Sequence, residues 1–155
     1  MPSARELSSL SLAQHAVRLQ TLLERPITDA LKKHGLSRGE LDVLGALAAR
    51  GDGARPQELS SQLLLTTGGL SNILRRLHEN GHITREANAA DARSTIVRIT
   101  EQGRDVARET GAAVTEVIGR ALGQVDEDVL ETAAEHLHRV LVDLDEDSPV
   151  HRSPS

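Results

Sequence analysis

The sequence predicts a mainly α-helical fold that carries one small β-hairpin, in the α+β class. Apolar residues recur every three to four positions along most of the chain, which is the period of an amphipathic helix. The pattern becomes extended only in the segments 83–86 and 95–100, which flank a polar, small-residue stretch over 88–93. These two segments predict a hairpin with a long tip.

The composition allows one aliphatic core and excludes several kinds of site. The chain has 155 residues, 38% of them hydrophobic, and it contains no aromatic residue and no cysteine. Missing aromatic rings exclude stacking platforms for single-stranded bases, and missing cysteines exclude disulfides and thiolate metal sites. The sequence shows no signal-peptide pattern and no apolar run near the ~20 residues of a membrane span. We therefore expect a cytoplasmic protein without a membrane partner.

Capping residues and helix breakers place the first two helices. Periodic leucines predict a first helix over 7–34, and Pro26 is expected to kink or split it. Ser37 and Glu40 have the spacing of a capping box, in which each residue bonds the other's backbone amide. This box predicts a second helix over 38–49.

The remaining helices are placed in the same way. A short third helix is expected over 56–64 and a fourth over 67–80. Thr100 is positioned to cap a fifth helix that ends near Gly123. Asp126 is positioned to cap a sixth.

The order of helix, short helix, tight connection, helix and hairpin over 37–100 is that of a winged helix-turn-helix domain. In such domains the second helix of the motif enters the major groove of double-stranded DNA. We therefore divide one integrated domain into an N-terminal dimerisation helix (1–36), the DNA-binding domain (37–100), C-terminal dimerisation helices (101–147) and a disordered tail (148–155).

The charge is unevenly distributed along the chain. The net charge is −5, yet residues 66–100 carry a balance of +2 and residues 101–155 a balance of −8. Attraction to phosphate depends on the local field at the docking surface more than on total charge. A DNA partner is therefore compatible with this acidic chain.

The fourth helix carries the expected base contacts. If Leu70, Leu74 and Leu77 face the core, helical geometry turns short polar groups and guanidiniums to the other side. Asparagine pairs with adenine edges and arginine with guanine. The expected contact residues of this helix are Thr67, Gly68, Ser71, Asn72, Arg75 and Arg76.

The hairpin supplies a second expected contact. Arg93 lies at its tip, where a guanidinium can enter the minor groove, and Asp91 is placed to hold it. Arg85 on the first strand belongs to the same basic segment. Taken one at a time, these arginines are also explained as solvated surface charges, and only their joint placement favours DNA.

The stretch from Leu63 to Gly103 resembles the multiple-antibiotic-resistance (MarR) type of bacterial regulator. The resemblance covers the fourth helix, the hairpin and the start of the fifth helix. The residues that carry it are Thr67-Gly68-x-Leu70-Ser71-Asn72, Arg76-Leu77, Gly81 with Ile83, Asp91-x-Arg93 and Thr100-x-x-Gly103.

This resemblance implies a dimer with two winged domains, an inverted-repeat operator and repression that a small ligand relieves. By the same resemblance, the fourth-helix polar residues contact the major groove or phosphates, and Arg93, braced by Asp91, contacts the minor groove. The family's ligand pocket lies between the first, second and fifth helices. The implied pocket neighbours are Arg18, Leu22, His34, Leu44 and Val106.

The sixth helix gives an independent argument for a homodimer. Its apolar residues alternate spacings of four and three, as in a coiled-coil seam, unless the stripe packs within its own subunit. An apolar stripe outside the winged core otherwise stays exposed. The expected dimer residues are Leu12 of the first helix and Leu130, Ala134, Leu137, Leu141 and Leu144 of the sixth.

Two other interpretations remain. A metal-responsive regulator is disfavoured because His136 and His138 point to different sides of a helix, and His78 and His82 straddle the break at 81. We expect no metal and no other cofactor. The other interpretation is a winged module that contacts only proteins.

An enzyme is not expected. The sequence contains no G-x-S-x-G elbow, no phosphate-binding P-loop, no H-E-x-x-H motif and no cysteine nucleophile.

Overall fold

The computed structural model describes residues 1–88 and 91–146. This part of the chain contains six helices and one antiparallel hairpin, which confirms the predicted fold class. The elements are α1 (Ala4–Lys33), α2 (Arg38–Arg50), α3 (Pro56–Gln62), α4 (Thr67–Glu79), β1 (Ile83–Asn88), β2 (Asp91–Ile99), α5 (Glu101–Ala121) and α6 (Glu127–Asp143). The predicted disordered tail lies outside the described residues.

Most of the predicted helix starts have the expected caps. The amide of Glu40 donates to the Ser37 hydroxyl at 3.3 Å, and the Ser37 amide donates to the Glu40 carboxylate at 2.7 Å. Thr100 accepts from the Gly103 amide at 3.0 Å. Asp126 occupies the N-cap of α6, but its side chain makes no cap hydrogen bond. The position of that helix was predicted correctly, whereas the cap bond was not.

The expectation that Pro26 splits the first helix is wrong, because α1 runs through it as one helix of 30 residues. A proline inside a helix removes one backbone hydrogen bond and costs about 3 kcal/mol. Two features offset this cost. A capping box between Ser3 and Glu6, which the sequence reading missed, starts the helix. Ile27 and Leu31, just after the proline, are buried.

The hairpin is longer and its tip shorter than predicted. The register pairs Ile83 with Ile99 and Arg85 with Val97, and strand pairing continues to 88 and 91. The predicted long tip over 88–93 is therefore wrong. Backbone pairing needs no apolar side chain, so small polar residues can extend a ladder beyond the core.

An isolated backbone bridge joins the α2–α3 connection to the hairpin. Ala54 and Val97 exchange backbone hydrogen bonds of 3.0 and 2.9 Å. Gly53 precedes this bridge with φ +88°, and a Cβ there would lie 2.7 Å from the Val97 carbonyl oxygen. Only glycine fits this backbone, because both the positive φ and the close approach exclude a side chain. The bridge fixes the hairpin against the helices.

The core lies between α2, α3, α4 and the hairpin. It is entirely aliphatic, as the composition requires, and Val43, Leu44, Leu47, Leu59, Leu77 and Val97 are fully buried in it. Helix α1 packs on α5, and its buried residues, Ile27, Ala30 and Leu31, lie near its C-terminal end. Within the described chain, no residue in the first half of α1 and none of α6 is buried. The winged domain is therefore packed, whereas the two terminal helices leave apolar faces exposed.

Candidate nucleic-acid interface

Helix α4 divides sharply into a buried and an exposed face. Leu70, Leu74 and Leu77 are buried in the core. The polar residues on the other side are all exposed, and Thr66 caps the helix by accepting from the Gly69 amide at 3.1 Å. The exposed set is Thr67, Gly68, Ser71, Asn72, Arg75, Arg76, His78 and Glu79.

Two contacts with α2 fix the position of α4. A Cβ at Gly39 would lie 2.8 Å from Cδ1 of Ile73, so the two helices approach closely there. Below this contact, Nε of Arg76 lies 3.1 Å from Oε1 of Glu40. The Glu40 side chain is 1% exposed and that of Arg76 is 55% exposed. The sequence identified Glu40 as a capping residue but missed this ion pair.

Arg75 is also paired, but at the surface. Its NH1 group lies 3.0 Å from a carboxylate oxygen of Glu79, one helical turn away, and both side chains are more than half exposed. Exposed pairs of this type contribute at most about 0.5 kcal/mol. Arg75 can therefore leave Glu79 for a stronger partner at little cost.

The hairpin presents a second set of charges. Arg98 lies 3.1 Å from Glu86 across the strands, and its NH1 group donates to the Asp52 carbonyl oxygen. This arginine ties the hairpin to the α2–α3 connection. Arg85 is exposed on β1. The side chains of Asp91 and Arg93 lie outside the part of the chain that the structure describes, so their roles stay predictions.

The Thr-x-x-Gly motif joins the hairpin to α5. The Thr100 hydroxyl donates to the Gly81 carbonyl at 2.8 Å and caps α5 at the same time. A Cβ at Gly103 would lie 2.1 Å from the His82 carbonyl oxygen. This close approach explains why the first turn of α5 requires glycine, and it holds α5 against the base of the hairpin.

A polar surface cavity of about 580 Å³ lies beside α3. Glu58 lies in it and accepts from the Arg55 amide at 2.9 Å and from Arg50 at 3.1 Å. The hydrogen bond from the Arg55 amide, aided by the charges of Arg50 and Arg55, holds the pKa of Glu58 below its ordinary value. Glu58 thus links the end of α2 to the start of α3.

The sequence model of the MarR family matches residues 34–94 of this chain. The transcriptional regulator MhqR of Bacillus subtilis is 30% identical over 115 residues, which are 71% of this chain and 75% of MhqR. The chain belongs to the MarR family. Members of this family are transcriptional regulators.

A second B. subtilis relative, the uncharacterised HTH-type transcriptional regulator YkoM, is 33% identical to this MarR-family chain over 86 residues. That alignment covers 56% of this chain and only 54% of YkoM. The chain therefore spans about half the length of one relative and three quarters of the other.

Solved structures share the fold of this MarR-family chain. A MarR-family regulator from Silicibacter pomeroyi superposes with a TM-score of 0.77 at 23% identity, covering 92% of this chain and 99% of that one. CouR of Rhodococcus jostii RHA1, solved with p-coumaroyl-CoA, gives 0.72 at 18% identity over 92% of this chain and 95% of its own. A MepR variant of S. aureus, bound to an oligodeoxyribonucleotide, gives 0.60 at 21% identity over 86% and 97%.

The ligand-pocket residues implied by the family resemblance lie in different surroundings in the single chain. Arg18 and Leu22 line a surface cavity of about 570 Å³ along α1. Leu44 is fully buried in the core, and His34 and Val106 are half-buried. The sequence reading missed Thr110 on α5, which is fully buried with a hydroxyl that has no hydrogen-bond partner in the described part of the chain.

The residues expected at a dimer interface are all exposed in the single chain. Leu12, Leu130, Leu137 and Leu141 are between 36% and 41% exposed, and Leu144 is 64% exposed. Ala134 is exposed as well. A third or more of the surface of each of these leucines therefore stays open to solvent in the single chain.

Residues 1–88 and 91–146 contain no cluster of three His, Asp or Glu side chains suited to a metal ion. No helix of the same residues is long and apolar enough to cross a membrane.

Proposed function

We propose that this chain is a sequence-specific regulator that binds double-stranded DNA as a homodimer, with α4 in the major groove. The observation that carries the proposal is the exposed polar face of α4, which a buried apolar face holds rigidly on the winged core. Rigid placement matters because base contacts tolerate little error in position.

The exposed face of α4 has the chemistry for reading bases. Successive helical residues are 100° apart, so Gly68, Asn72 and Arg75 lie along one line opposite the buried face. Glu79 follows at the end of this line, but its carboxylate repels phosphate and is not among the proposed DNA contacts. Asparagine can bond adenine in two places and arginine can do the same with guanine. This line is therefore the proposed reading edge.

Gly68 supports a close approach to DNA. A Cβ added there would meet no atom within 4 Å, so packing within the described chain does not require glycine. A helical glycine costs about 1 kcal/mol relative to alanine. A partner outside the chain that comes close to the helix start explains why this cost is accepted.

The hairpin is proposed to contact the flanking DNA backbone and minor groove. Arg85 is exposed on β1, and the ties of Arg98 to Glu86 and to the α2–α3 connection hold the strands in place. The proposed minor-groove residue is Arg93, braced by Asp91. The DNA-bound MepR variant shows that a protein of this fold takes an oligodeoxyribonucleotide.

The homodimer is proposed to form through α1 and α6. In the described chain, α6 has no buried residue, yet its leucines form a continuous stripe. A second copy that pairs its own stripe with this one removes both from water. A two-fold axis also presents two α4 helices to the two half-sites of an inverted repeat.

Repression relieved by a small molecule is the proposed mode of regulation. Thr110 lies on α5, which packs against both α1 and α2, and its free hydroxyl offers a polar partner for a ligand there. CouR, which shares the fold, was solved with p-coumaroyl-CoA. Reversing a 1:99 balance between two conformations needs about 5.5 kcal/mol of differential affinity.

The test is a gel-shift on DNA from the region upstream of the chain's own coding sequence, followed by selection from genomic fragments. Phosphate contacts predict a steep loss of affinity between about 50 and 200 mM salt. Arg75→Ala should weaken the shift. Arg120→Ala is the matched control, because Arg120 is also an exposed arginine paired one turn away, with Glu116 at 3.6 Å.

The outcomes separate the two remaining interpretations. A discrete, salt-sensitive shift that Arg75→Ala weakens and Arg120→Ala does not would support the proposal. Absence of binding to every genomic fragment would favour a winged module that contacts only proteins.

A further inference from the structure

Glu40 is the one fully buried acidic side chain in the part of the chain that the structure describes. Its two carboxylate oxygens face different partners. Oε2 accepts from the Ser37 amide at 2.7 Å, and Oε1 lies 3.1 Å from Nε of Arg76 on α4. The second contact is an ion pair without hydrogen-bond geometry. One carboxylate therefore joins the start of α2 to the middle of α4.

Capping alone does not explain the burial of this charge. Glu6 and Glu58 occupy the same third position in the capping boxes of α1 and α3, and both are exposed. A cap needs only a carboxylate near the helix start. Burying a charge is costly unless it is paired. The additional feature of Glu40 is its pairing with Arg76.

The pairing constrains how Arg76 presents its guanidinium. Glu40 lies at the Nε edge of the group, yet the Arg76 side chain is 55% exposed. An arginine has five N–H donors in a fixed fork, so a carboxylate near the Nε edge leaves the terminal N–H groups for a second acceptor. Glu40 is the only described residue that pairs with Arg76. The exposed part of the Arg76 side chain lies on the flank of the reading edge.

We propose that Glu40 is a positioning residue for DNA binding: it orients Arg76 so that the outward N–H groups of the guanidinium donate to a backbone phosphate. This inference rests on the proposed function of α4. The buried carboxylate does not touch DNA. It sets the direction of the arginine side chain. By linking α2 to α4, it also fixes the position of α4 on the core.

For the DNA affinity of Glu40→Gln, simple charge counting predicts the opposite effect. Removing a carboxylate close to DNA lowers repulsion from phosphates and should strengthen binding. Glu79→Gln, on the exposed face of the same helix, should follow that rule. Glu40→Gln should do the opposite, because a neutral amide keeps the size of the side chain but no longer orients the guanidinium.

The experiment is fluorescence anisotropy on a DNA fragment that the wild-type protein binds, over a series of salt concentrations. For Glu40→Gln we expect about a tenfold rise in Kd, and a slope of log Kd against log salt smaller by about 0.9, the value of one lost phosphate contact. Glu79→Gln should bind as tightly as wild type or tighter. Circular dichroism checks that every variant is folded.

Arg76→Lys is the second variant, because it keeps the charge and is not expected to unfold the chain. A single ammonium cannot hold Glu40 and a phosphate with the geometry of a fork, so the salt slope should fall as in Glu40→Gln. The double variant Glu40→Gln with Arg76→Lys should be no weaker than either single change.

Two results would overturn the inference. One is tighter binding by Glu40→Gln, as for Glu79→Gln. The other is an unchanged salt slope in Arg76→Lys, which decides the question if Glu40→Gln does not fold. If the wild-type protein binds no DNA fragment at all, the proposed function itself fails, and that result is distinct from both.

Discussion

Replacing Gly103 with alanine isolates the contact between α5 and the base of the hairpin. The added Cβ would lie 2.1 Å from the His82 carbonyl oxygen and 2.9 Å from Cγ1 of Ile99. The His82 carbonyl belongs to the backbone and already accepts a hydrogen bond from the Thr100 amide at 3.0 Å, so it cannot move away from the added Cβ. Overpacking of this kind lowers the free energy of unfolding by about 3 kcal/mol. The higher helix propensity of alanine offsets about 1 kcal/mol of this loss. We expect a net loss of about 2 kcal/mol.

Gly111→Ala is the matched control in the same helix. A Cβ at Gly111 would meet no atom within 4 Å, so only the propensity gain of up to about 1 kcal/mol applies. The two substitutions should therefore move the urea midpoint in opposite directions with unchanged slope. Circular dichroism at one fixed protein concentration measures both, since the chain has no tryptophan. Equal stabilisation by both substitutions would refute the close approach at Gly103.

Leu64, Glu58 and Leu137 can each be tested by a single substitution. Leu64 has φ +52°, a strained backbone conformation for leucine, and its side chain is 73% exposed. Leu64→Gly should therefore raise the free energy of unfolding in urea by about 1 kcal/mol. A lower free energy of unfolding would contradict this backbone strain. The lowered pKa of Glu58 stabilises the fold above its unfolded value of 4.5 and less as pH falls through the folded value. The Tm advantage of wild type over Glu58→Gln should thus be present at neutral pH and shrink in acid, whereas a constant difference would argue against it. Leu137→Glu should convert a dimer to monomers in light scattering, and an unchanged mass would place the interface elsewhere.

The elements that sequence reasoning placed correctly depend on local chemistry. Ser37 and Glu40 lie three residues apart and determine the start of α2 through contacts with each other's amides. The apolar face of α4 follows directly from the helical period. Short-range features of this kind are visible in a sequence because all partners lie within one turn.

The features that were missed depend on contacts between distant segments. Ala54 has no strand pattern of its own, and its bridge exists because β2 passes beside it. Arg76 was assigned to DNA alone, since nothing in the spacing of 40 and 76 indicates an ion pair. Pro26 was expected to kink or split α1, but it does not split the helix, because burial of the residues after it outweighs the local cost.

A ratio of DNA affinities tests most directly whether the line through Asn72 on α4 reads bases. The ratio compares a DNA site selected by the wild-type protein with a scrambled site of equal length. A bidentate base contact contributes about 1–3 kcal/mol, so Asn72→Ala should lower this ratio about tenfold while binding to the scrambled site stays unchanged. An unchanged ratio, or an equal loss on both DNAs, would contradict the claim.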